Sequence, residues 1–76
     1  MKYNRAVTSS CITNVAWECA PGTLKGTLTI TYRTGAIYAF ANVPRAVYTA
    51  IVSASSAGSM AAQLLKRGRY AYSRTS

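Results

Sequence analysis

Histidine is absent from this chain of 76 residues, and Glu18 is its only acidic side chain. Those two absences remove most routes to catalysis. General acid–base chemistry needs a group that titrates near neutral pH, usually His or a tuned carboxylate. One carboxylate leaves no paired-carboxylate mechanism within the chain. A cysteine nucleophile needs an activating base, and none is at hand. Two thiols, one carboxylate and no imidazole make no tetrahedral metal set. A phosphate loop of the G-x-x-x-x-G-K type is missing too. The chain therefore reads as non-enzymatic, with no cofactor and no metal.

Cysteine is equally scarce, with Cys11 and Cys19 alone. On one strand, a rise of about 3.3 Å per residue sets them roughly 26 Å apart. A disulfide tolerates about 7 Å between Cα atoms, so two free, inward-facing thiols are expected. No apolar run approaches the ~18 residues of a membrane span. The N-terminus passes through Lys2, Asn4, Arg5 and Thr8 without the apolar core of a signal peptide. A cytoplasmic protein with no membrane partner is expected.

What the chain does hold is positive charge and small apolar residues. Nine Lys and Arg against one acid give a formal net charge of +8. A field of one sign speeds encounter with polyanions and weakens in salt. Solubility is the plain alternative, although it does not require a single sign. Half of the residues are hydrophobic, but many are alanine. The larger core-formers are few, and a domain this small carries roughly 3–5 kcal/mol of core stability.

Periodicity gives the elements. Across residues 11–19, Cys11, Thr13, Val15, Trp17 and Cys19 share one strand face, with Ile12 out of phase and a bulge expected there. Ala20-Pro21-Gly22 is a turn. Residues 23–33 alternate cleanly: Leu24, Leu28, Ile30 and Tyr32 one way, Lys25, Thr27, Thr29, Thr31 and Arg33 the other. Thr34-Gly35 turns the chain into a third strand over residues 36–41, with Tyr38 and Phe40 on one face. Pro44 opens a helix whose apolar positions are Ala46, Val47, Ala50, Ile51 and Ala54. Small residues 53–59 lead into a second helix, capped by Ser56 or Ser59, with Met60, Ala61, Leu64 and Leu65 as its stripe and Gly68 as its stop. The expected fold is α+β: a three-stranded antiparallel β-meander followed by two short helices packed on one sheet face. The domain spans residues 11–68, between a basic N-terminal arm (1–10) and a basic C-terminal tail (69–76).

Binding chemistry concentrates at the ends. Lys2, Arg5, Lys66, Arg67, Arg69 and Arg74 are six of the nine cations, and Tyr70 and Tyr72 interleave with the tail arginines. Arginine offers forked donors for phosphate or carboxylate. Tyrosine offers a stacking face for a base or an anchor for a protein groove. The plain alternative is a solvated terminus with cations at a helix C-terminus. The segment 53–59 is either an anion cradle at a helix N-terminus or a helix–helix turn, and the turn is preferred. Phe40 is assigned to the core. Tyr38 is left between core and a base-stacking platform.

The motif order Ser9-Ser10-x-Ile12-x-x-Val15, Thr29-Ile30-Thr31-Tyr32-x-x-Gly35-x-x-Tyr38-x-Phe40, Val43-Pro44 and Ser53-Ala54-x-Ser56-x-Gly58 resembles the KTSC domain. That short module follows some lysyl-tRNA synthetases and also stands alone in bacteria and phages. The resemblance covers about residues 7 to 70. It departs where the family's second phenol is Phe40, and where Ser59 and Met60 replace an aromatic near the second helix. It implies RNA binding and little else about function. In size, charge and terminal layout the chain also resembles small phage-encoded regulators of host RNA polymerase. The leading expectation is a non-enzymatic regulator docked on an acidic face of RNA polymerase. Direct RNA or DNA binding is the alternative, and sequestration of a small nucleotide a third.

Overall fold

The computed structural model describes residues 2–7, 11–68 and 70–75. Five strands and two helices follow in the order β1 (Lys2–Ala6), β2 (Ile12–Glu18), β3 (Lys25–Tyr32), β4 (Ile37–Pro44), α1 (Arg45–Ser53), α2 (Ala57–Gly68) and β5 (Tyr72–Arg74). The fold is α+β, with one antiparallel sheet in the order β1-β2-β3-β4-β5.

The sheet therefore has five strands where periodicity predicts three. The two extra strands come from the stretches that read as arm and tail. They are edge strands, and nearly every residue in them is exposed. Without an inner apolar row there is no alternation to read. The central meander is as expected, including an irregular register between Ile12 and Asn14.

The helix-side face carries Val15 and Trp17, Leu28 and Ile30, and Phe40, all buried together with Val43. Tyr48 and Ile51 of α1 close over them, and Ala57, Ala61 and Leu65 of α2 complete the cluster. The indole Nε1–H of Trp17 donates to the Val43 carbonyl at 2.8 Å, so the buried ring leaves no polar atom orphaned. The opposite face is open and bears small residues, polar or alanine: Asn4, Ala16, Thr29, Ala39 and Ser73 lie along one cross-strand row.

Three local expectations need correction. Leu24 does not join the inner row of β3; it is 86 % exposed, because the strand starts at Lys25 and the register slips between Gly26 and Leu28. Cys11 is exposed, since β2 begins one residue later, whereas Cys19 is buried. Pro44 ends β4 in extended conformation and α1 starts at Arg45. At the turn after β3, Gly35 takes a positive φ of 95°, which a glycine adopts without steric cost. Ser56 precedes α2, and its carbonyl accepts the Met60 N–H at 3.1 Å.

Candidate functional site

β5 returns beside β4 after the two helices. Ala41 N–H donates to Ala71 O at 2.8 Å and Thr75 N–H to Ile37 O at 2.7 Å, bracketing the short ladder. The register sets Phe40 opposite Tyr72 and Tyr38 opposite Arg74. Directly opposed residues share a face, so Tyr72 and Arg74 join Tyr38 and Phe40 on the helix side of the sheet.

The result is a row of rings. Tyr32 meets Tyr38 edge-on at 5.5 Å and 71°, and Tyr38 meets Tyr72 at 5.8 Å and 68°. Phe40 lies 5.5 Å from Tyr72 at 37° and is buried beneath it. Tyr32 and Tyr38 are half-buried, while Tyr72 is 66 % exposed. Burial first, then the neighbouring Tyr38 and Cys11, pushes the Tyr32 phenol above its ordinary value. That phenol stays protonated across the physiological range and remains a hydrogen-bond donor. The row thus offers one stacking surface, hydroxyls on half-buried rings and the guanidinium of Arg74.

Of the residues singled out by charge, Tyr72 and Arg74 fall in this row. Lys66 and Arg67 occupy the exposed last turn of α2, where cations also complement the helix dipole. From Arg67 to Tyr72 the chain spans at most about 18 Å. Tyr70 is half-buried against the core and does not join the row. Arg69 lies outside the described residues. Lys2 and Arg5 sit on β1 at the far edge, four strand spacings away, or roughly 19 Å. Lys2 lies 3.6 Å from Glu18. The terminal cations thus form two separate groups. The residues that charge singles out do not include Tyr32 and Tyr38. Their signal was the pair of tyrosines flanking the Thr34-Gly35 turn, but only the non-local pairing of β4 with β5 adds Tyr72 to them.

A second aromatic group anchors β1. Tyr3 packs 5.8 Å from Trp17 and 5.7 Å from Tyr48. Arg45 lies over the Tyr3 ring at 5.9 Å and donates from Nη1 to its hydroxyl at 3.2 Å. At the start of α2 the Ser56 hydroxyl bonds to that of Ser59 at 3.2 Å, as in a helix–helix turn. Among the described residues no group of three or more His, Cys, Asp or Glu is positioned to hold a metal. No described helix is long and apolar enough to cross a membrane.

The family model for the KTSC domain matches residues 8–72 of this chain. No curated protein gives a significant match. Among solved structures, the crystal structure of a KTSC domain protein from Yersinia pestis is similar over 100 % of both chains, with a TM-score of 0.81 and 22 % identity. At that identity the likeness speaks for the fold.

Proposed function

This chain belongs to the KTSC domain family, and from that premise we propose that it is a non-enzymatic, basic module that binds single-stranded nucleic acid, RNA foremost. One observation carries the reading: the exposed ring of Tyr72, beside Tyr38 and Arg74 on one sheet face, in a chain of net charge +8. Single-stranded RNA is typically held by splayed bases stacked on aromatic side chains of a sheet, with cations along the phosphates. Tyr72 supplies the stacking surface. Arg74 supplies forked donors to an adjacent phosphate, and the Tyr32 and Tyr38 hydroxyls add neutral donors. Lys66 and Arg67, exposed in the last turn of α2 a few residues before β5, would add further phosphate contacts.

A second reading is regulation of transcription by docking on an acidic face of RNA polymerase. Leu24, 86 % exposed, favours it. It borders a surface depression shared with Trp17, Pro44 and Arg45, and an exposed leucine among cations suits a protein partner better than a nucleic acid.

Anisotropy titration of a labelled, unstructured RNA at several salt concentrations tests the first reading. If Arg74, Lys66 and Arg67 each neutralise one phosphate, log affinity falls with log salt at a slope of about −2. No binding at low salt, or a flat response, overturns it. Capture of RNA polymerase from nuclease-treated bacterial lysate, lost on Leu24→Asp substitution, selects the second.

A further inference from the structure

β1 is the longer of the two sheet edges, five residues against three in β5. Its inner side is fixed to β2 from Lys2 opposite Glu18 to Ala6 opposite Asn14, and Val7 N–H donates to Thr13 O at 3.1 Å just beyond. In an antiparallel ladder the backbone groups of alternate residues point to the same side. Val7 pointing inward places Tyr3 and Arg5 inward as well. The N–H and C=O of Asn4 and Ala6 are therefore directed away from the sheet. Among the described residues no strand lies beyond β1.

This edge is held ready. Tyr3 is wedged against Trp17 and Tyr48, with the Arg45 guanidinium on its hydroxyl, so the strand does not have to be ordered on binding. It is also flanked by cations on both faces. Arg5 and Arg45 lie on the helix side, and Lys2 on the open side. The Lys2–Glu18 pair at 3.6 Å has both side chains well exposed, and water screens such a pair.

The chemistry of the edge selects its occupant. Alternating N–H and C=O groups are matched by another peptide backbone and not by nucleic acid. A second copy of this chain would bring the same cations against Lys2 and Arg5, with +8 on each partner, and lysine on an edge strand opposes such pairing. We infer that β1 is a docking edge for an extended acidic segment of a partner protein. The segment adds to the five-stranded sheet beyond β1, with main-chain bonds to Asn4 and Ala6 and carboxylates on Lys2, Arg5 and Arg45.

Amide hydrogen exchange on the intact protein tests this, with a capped peptide alternating Glu and Val as probe. On saturation, exchange at Asn4 and Ala6 should slow by about tenfold or more, as for newly bonded amides. Tyr3 and Arg5, already bonded inward, should change little, and a Lys–Val peptide should have no effect. Asn4→Pro removes an outward N–H and no inward one. It should abolish peptide binding while leaving affinity for RNA at the tyrosine row unchanged. The inference is overturned if the acidic peptide leaves Asn4 and Ala6 unprotected, including a case where it perturbs only Tyr72 and Arg74. Equal protection by the Lys–Val peptide, or unchanged peptide affinity in folded Asn4→Pro protein, overturns it too. If Asn4→Pro does not fold, exchange on the parent chain decides alone.

Discussion

Trp17 spans the core and closes its hydrogen-bond account at Val43. Phenylalanine at that position keeps most of the packing and leaves the Val43 carbonyl unbonded in a buried setting. Trp17→Phe should cost about 1–3 kcal/mol by denaturant titration. Gly26 is fixed by space: a Cβ there would collide with the Glu18 carbonyl oxygen and crowd the Cys19 Cβ. Gly26→Ala should destabilise by about 1–3 kcal/mol. Tyr32 is half-buried beside Tyr38. Its phenol is raised by burial and by the neighbouring Tyr38 and Cys11, so the folded state holds that proton more tightly than the unfolded state. The associated stability is complete below the ordinary tyrosine value near 10 and is lost as pH climbs through the raised folded value. Thermal scans above about pH 10 should show a steeper alkaline decline in the parent protein than in Tyr32→Phe.

At the level of elements, legibility followed burial. β2, β3 and the start of β4 alternate because one face of each is sealed under α1; α2 shows through its apolar stripe, whereas in α1 Ala46 is exposed and Tyr48, outside the expected stripe, is buried. β1 and β5 do not, because Lys2, Asn4, Arg5, Ser73 and Arg74 face solvent in strands as they would in a tail. The aromatic row is half legible for the same reason. Tyr38 and Phe40 could be placed on one face, and Tyr72 and Arg74 could be marked by chemistry. Nothing in the sequence joined them, since the β4–β5 ladder is closed across two helices. This changes what truncation does. Removing residues 66–76 as a dispensable tail would leave a folded domain. Here it deletes the last turn of α2, Tyr70 and β5, and uncovers the β4 edge at Tyr38 and Phe40. The truncated protein should lose at least about 1 kcal/mol, a fall in Tm of about 4–8 °C, and should aggregate through that edge. A truncated chain with the parent Tm contradicts the β4–β5 pairing.

Across the whole molecule, charge and architecture divide the surface. The described cations do not converge on one point: Arg74 lies in the tyrosine row and Lys66 and Arg67 at the end of α2, while Lys2 and Arg5 lie on the far edge strand. The two proposals accordingly use opposite edges of one small domain, nucleic acid at β5 and an acidic segment at β1. The central claim is that RNA meets the row at Tyr72. It is tested most directly by comparing RNA affinity of the parent protein with that of Tyr72→Ala and Tyr72→Phe at one low salt concentration. A lost stacking surface is worth about 1–3 kcal/mol, or about 5- to 150-fold. The account predicts that loss for Tyr72→Ala and near-parent affinity for Tyr72→Phe, whose ring still stacks. Equal affinity in all three proteins would contradict it and leave the positive charge alone to explain any binding.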